Sequence, residues 1–93
     1  MKIVTGSKSM RYAGHYNLRK PVIRIHPKVT GKDKKLVIHH EKVERRLRIK
    51  KGYTYKQAHK IATQSEKKYA KKLKVNWKKY GQRINTLYSR RKK

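Results

Sequence analysis

The six residues His39-His40-Glu41-Lys42-Val43-Glu44 hold two of the five histidines and two of the four acids in this 93-residue chain. His40 and Glu44 are four apart and share a helix face, the spacing at which a helical zinc motif presents two ligands. Glu41 then stands where the general base of a metallopeptidase stands. His59 and Glu66, further along the chain, are candidates for a third ligand. The chemistry such a set would perform is metal-dependent hydrolysis.

Two helices must position these groups. Leu36, Val37, His40, Val43, Glu44 and Leu47 recur at three- and four-residue steps and predict one stripe on a helix of about four turns. Gly52 stands where a helix stop is expected, since glycine takes the left-handed conformation without penalty. Thr54 and Gln57 then form a Thr-x-x-Gln capping box for a second helix, with Ala58, Ile61, Ala62, Ser65, Tyr69 and Leu73 as its stripe. A short turn makes the two helices antiparallel neighbours. The fold class expected is therefore mainly α, an antiparallel helical hairpin. It is preceded by a short edge strand at Val22-Ile23-Arg24-Ile25, which Pro21 and Pro27 confine to a sheet edge or an extended segment.

The acids divide the chain into three parts. Residues 1–32 and 74–93 each carry eight Lys+Arg and no acid, whereas residues 33–73 hold all four acids. This predicts a basic extension over 1–20, ordered only against a partner. A small core of strand and helical hairpin follows over 21–73, then a basic segment over 74–93. Trp77, Tyr80, Ile84, Leu87 and Tyr88 in that last segment have near-helical spacing.

Thirty Lys+Arg against four acids leave a net charge of +26. Self-repulsion on that scale opposes a compact state unless counter-charge comes from outside, and nucleic acid supplies it as phosphate. A membrane surface is a poor alternative: the chain has no Phe, one Trp and no long apolar run. The start lacks the apolar stretch of a signal peptide, and the absence of Cys excludes a disulfide framework or a zinc ribbon. A cytoplasmic protein is the expectation. Flat rings stand beside cations at Arg11-Tyr12, His15-Tyr16, Arg19-Lys20, Trp77-Lys78-Lys79-Tyr80 and Tyr88-Ser89-Arg90-Arg91, with Tyr12 and Tyr16 assigned to RNA contact, and the chain ends in a basic tail. Arg and Lys grip phosphates, while rings stack on unpaired bases.

Two resemblances add to this. The tiny body with basic arms resembles small, lineage-specific ribosomal proteins of archaeal type. Residues 36–69 also resemble small zincin-like proteins with the pattern His-Glu-x-x-Glu, Gly, then Tyr-x-x-Ala-His. The matching residues here are His40-Glu41-Lys42-Val43-Glu44, Gly52 and Tyr55-Lys56-Gln57-Ala58-His59. The second resemblance implies a metal-dependent hydrolase with His40, Glu44 and His59 as ligands.

The reading favoured by the charge is a structural RNA-binding protein of the ribosome. Its expected partners are ribosomal RNA and neighbouring ribosomal proteins, without a membrane or a homo-oligomer. The expected anchors are Arg11, Tyr12, Arg19, Lys20, Arg24, Arg45, Arg46, Arg48, Trp77, Lys78, Lys79, Arg83, Arg90 and Arg91. On that reading the chain is no enzyme and holds no cofactor or metal. Glu44 and Glu66 pair with surrounding cations, and His40 is a half-buried core histidine. The rivals are a zincin-like hydrolase and a DNA-binding chromatin or transcription protein. The latter would read bases through Thr54, Lys56, Gln57 and Lys60.

Overall fold

The β-branched run Val22–Ile25 is extended, but it forms the centre of a sheet and not its edge. In the computed structural model, which describes residues 2–7 and 13–87, strands β1 (Lys2–Thr5), β2 (Gly14–Tyr16) and β3 (Val22–Ile25) lie in the order β1-β3-β2. β1 runs parallel to β3, with Ile3 opposite Ile23, and β2 runs antiparallel to it, with His15 opposite Arg24. The edge-strand expectation fails because both prolines lie outside the paired residues 22–25, where a missing N–H removes no ladder donor. Pro21 precedes the strand and contributes its carbonyl to the Lys2 N–H at 2.8 Å, and Pro27 follows it by two residues. Residues 2–5 and 14–16, within the stretch read as an unstructured extension, are strands too short to show a period.

Alternation along β3 buries Ile23 and Ile25 and leaves Arg24 exposed, so one face of the sheet meets the helices. Helix α1 (Gly31–Lys50) starts earlier than the stripe suggested, and it is 20 residues long. Its residues Leu36, Val37, His40, Glu41 and Glu44 are buried. Gly52 has φ +66°, the left-handed conformation expected at the stop.

The capping box of α2 (Tyr55–Lys72) is present in full. The Gln57 N–H donates to Thr54 Oγ1 at 3.2 Å, and the Thr54 N–H donates to Gln57 Oε1 at 3.0 Å. The buried stripe of α2 is Ala58, Ala62, Glu66 and Ala70. Ile61, expected in the stripe, is instead 38% exposed. Four-residue spacing of small side chains lets α2 approach α1 closely, and bulky Ile61 falls outside that line. Leu73 and Lys74 end the helix with Lys74 N–H to the Lys71 carbonyl and Val75 N–H to the Ala70 carbonyl, a Schellman closure.

Helix α3 (Trp77–Leu87) brings Tyr80 and Ile84 into the core formed with Ile23, Ile25, Leu36 and Val37. Arg83 ties it to α1 by a two-pronged pair with Asp33, both bonds 2.8 Å. The protein is thus mostly helical with a small three-stranded sheet. Among the described residues no helix is long and apolar enough to cross a membrane.

Candidate metal centre

A helix that starts at Gly31 turns positions 37, 40, 41 and 44 toward the sheet and toward α2. Glu44 Oε2 lies 2.9 Å from His40 Nε2 and 3.0 Å from His59 Nδ1, and the two imidazole nitrogens are 3.2 Å apart. These three atoms form a nearly equilateral triangle. A tetrahedral zinc with bonds of about 2.0–2.1 Å has ligand–ligand edges of ~3.3 Å. The triangle is slightly smaller than one face of that tetrahedron, so small side-chain shifts would accommodate the ion. The donor set, two imidazoles and one carboxylate, is chemically suited to zinc.

The surroundings fix these atoms. His40 Nδ1 donates to Glu66 Oε1 at 2.9 Å, and Tyr80 Oη donates to Glu66 Oε2 at 2.5 Å. On the other side, Tyr16 Oη donates to Glu44 Oε1 at 2.6 Å while accepting from Arg48 Nη1 at 3.1 Å. Tyr55 Oη stands 3.4 Å from His59 Nδ1, and the Arg48 guanidinium lies 6.0 Å from the Tyr55 ring centre. His40 and Glu44 are each only 2% exposed and Glu66 not at all, so His40 is fully buried where half-burial was expected.

Burial works against charge on His40, but hydrogen bonds to Glu44 and Glu66, with the field of Glu41, outweigh it and raise its pKa to about 9. Burial likewise pushes Glu44 upward, yet hydrogen bonds with His40, His59 and Tyr16 prevail and hold it at about 2. The Tyr16 hydroxyl is pushed up, first by burial and then by Glu44, against the opposing hydrogen bond from Arg48. Three carboxylates thus act on one buried imidazolium.

A cleft of about 380 Å³ opens beside the triangle. Residues 13–19, comprising β2 and the turn after it, line one side; Val37, His40, Glu41, Glu44 and Arg48 of α1, with Tyr55 and His59 of α2, line the rest. Gly14 is the reason Glu41 fits against the strand. A Cβ built there would stand 2.7 Å from Val37 Cγ1 and 3.0 Å from Glu41 Cγ. Asn17 shapes the turn by accepting the Arg19 and Lys20 N–H groups on its side-chain oxygen, and its carbonyl accepts from Arg45 Nε at 2.8 Å.

Of the residues expected to hold metal, His40, Glu44 and His59 converge, whereas Glu66 supports His40 from behind. His39 faces elsewhere: its Nε2 is 2.7 Å from Ser65 Oγ, its ring lies 4.8 Å from that of Tyr69, and burial lowers its pKa. The residues expected to bind RNA are dispersed. Arg19, Lys20, Arg24, Arg46, Lys78 and Lys79 are exposed on different elements. Arg48 is half-buried at the cleft, Arg45 is half-buried against the Asn17 carbonyl, and exposed Arg83 is paired with Asp33. Trp77 packs against the core with its ring 5.6 Å from Tyr80. Arg11, Tyr12, Arg90 and Arg91 lie outside the described residues. Sequence reasoning offers no role for Gly14, which lies in a segment without period, assigns Tyr16 to RNA contact where the structure sets it on Glu44, and gives Tyr80 no role beyond the aromatic pattern.

Comparison with known proteins gives no match to a family model, a curated protein or a solved structure.

Proposed function

We propose that this chain is a metal-dependent hydrolase of zincin-like type, built on an antiparallel helical hairpin of α1 and α2 and acting on an extended polypeptide laid along β2. The observation that carries the proposal is the convergence of His40 Nε2, Glu44 Oε2 and His59 Nδ1 beside Glu41 in a cleft. A zinc held by these three ligands would keep a position for substrate or water, polarise a carbonyl and acidify the water. Glu41 is the group placed to take the proton from that water and return it to the leaving nitrogen. β2 is at the sheet edge, so an incoming strand has a ladder to extend. Arg48 and Tyr55 border the same cleft and offer donors for a developing oxyanion.

The decisive experiment is metal analysis of protein purified without added chelator, followed by cleavage of a peptide library. The expected result is one zinc per chain that is lost in His40→Ala. Glu41→Gln should keep the metal while turnover falls about 10²- to 10⁴-fold. Metal-free protein that shows no uptake of added zinc would overturn the reading.

A second reading, association with RNA as in a ribosomal protein, is favoured by the charge. All four acids are buried or turned into pairs, so the exposed charges among the described residues are cationic. Lys42, Arg45, Arg46 and Lys50 surround exposed Ile49 in a shallow groove of about 320 Å³ on the outer side of α1. Phosphate contact there leaves the cleft free, so the two readings are compatible. Sedimentation of a lysate at low and high salt tests it: sharp co-migration with one ribosomal subunit at several hundred millimolar salt supports ribosomal residence, and release to the top opposes it.

A further inference from the structure

Behind the ligand triangle a second chain of polar groups runs through the core into α3. Glu66 is completely buried, a costly place for a carboxylate unless its oxygens are bonded. One oxygen accepts from His40 Nδ1 at 2.9 Å and the other accepts from Tyr80 Oη at 2.5 Å. Tyr80, also completely buried, comes from a different helix, belongs to the core and has its ring 5.6 Å from that of Trp77. The three residues span two stretches of sequence 26 and 14 residues apart. Nothing in the packing of α3 on α2 by hydrophobic contact requires a tyrosine hydroxyl there; phenylalanine would fill the same volume.

We propose that Glu66 and Tyr80 are positioning residues for the metal site: they hold the His40 ring with Nδ1–H toward Glu66, so that Nε2 is presented to the ion. The proposal rests on the metal-site reading above. A histidine ligand whose other nitrogen is fixed by a carboxylate has one tautomer and one ring orientation, and the carboxylate raises its basicity. Tyr80 fixes the carboxylate in turn, by occupying the oxygen that His40 does not use. α3 thereby becomes part of the site without touching the ion, and the Arg83–Asp33 pair fastens α3 to the helix that carries His40.

The test compares zinc affinity, by competition with a chromophoric chelator, in the parent chain, Glu66→Gln, Tyr80→Phe and Ile84→Ala. Ile84 is a buried core residue of α3 and serves as the packing control. Glu66→Gln should weaken zinc binding roughly 10- to 100-fold, and Tyr80→Phe by less but more than about threefold. Ile84→Ala should lower the denaturation midpoint and leave affinity within twofold. A second arm needs no metal: in ¹H–¹⁵N spectra of the metal-free chain, the His40 Nδ1 proton should be slowly exchanging. It should exchange faster in both Glu66→Gln and Tyr80→Phe. Folded Glu66→Gln with parental affinity and an unchanged Nδ1 proton would overturn the proposal. Zinc uptake absent from the parent itself overturns the metal reading, and the positioning role with it. Parental uptake combined with indifferent variants overturns the positioning role alone.

Discussion

Around His40, two carboxylates and a second imidazole are arranged with contacts of 2.9–3.2 Å, nearly all of them shielded from water. On the outer faces of the same two helices, the exposed charged residues are lysine and arginine without exception. The inner region uses few groups, each bonded to named partners, and substitution of one strands the others. The outer region uses many groups with few specific partners, and its effect is a summed field. Both regions lie on the same two helices, 20 and 18 residues long, on opposite faces, so helical periodicity alone keeps them apart.

The strongest way to break the inner region is His40→Ala. It leaves Glu44 and Glu66 buried without their shared partner, a loss of about 3–5 kcal/mol for a buried ionic set. Urea denaturation should show it, together with loss of zinc. A variant with parental stability would mean that the carboxylates find solvent or protons easily, and the inner region would be no different in kind from the outer.

Next in size is the pH dependence of the metal-free chain. His40, raised from 6.5 to about 9, contributes stability that is complete below pH 6.5 and lost as pH rises toward 9. Glu44, lowered from 4.5 to about 2, contributes stability that is complete above pH 4.5 and lost as pH falls toward 2. The urea midpoint of chelator-treated protein should therefore form a plateau between pH 4.5 and 6.5. The alkaline limb should vanish in His40→Ala. A limb that persists in that variant would assign it to other groups.

The smallest effect on stability belongs to the outer region. Replacing Lys42, Arg46 and Lys50 together by alanine should change folding stability by no more than about 0.5 kcal/mol per residue. The same variant should make the salt dependence of RNA binding shallower by about two units of slope. Zinc stoichiometry should stay the same. An unaltered slope would remove the α1 groove from the phosphate contact surface.

This contrast also explains what the sequence made legible. The His40–Glu44 pair, the Thr54–Gln57 cap and the Gly52 stop are local: each is a spacing within one helix or one turn, whereas His59 joins the pair from the second helix. The sheet was hidden because strands of three and four residues carry no readable alternation, and pairing around β3 is a non-local event. Tyr16, Gly14 and Tyr80 acquire their meaning from contacts 14–28 residues away, which no local pattern encodes. The α2 stripe differs at Ile61 because two lines at three- and four-residue steps pass through Ala58 and Ala62, and the packing on α1 takes the one formed by three alanines and a glutamate.

The order β1-β3-β2 carries a consequence for how the chain assembles. The middle strand is the last of the three to be synthesised, so residues 2–5 and 14–16 have no ladder partner until residue 25 has emerged. Nascent chains that stop short of that point cannot form the cleft wall at all. One that reaches it gains both flanking strands together, and α1, the next element out, then closes over a sheet that already exists. Acquisition of structure in the N-terminal third should thus be abrupt with chain length, a single step and not a gradual accretion.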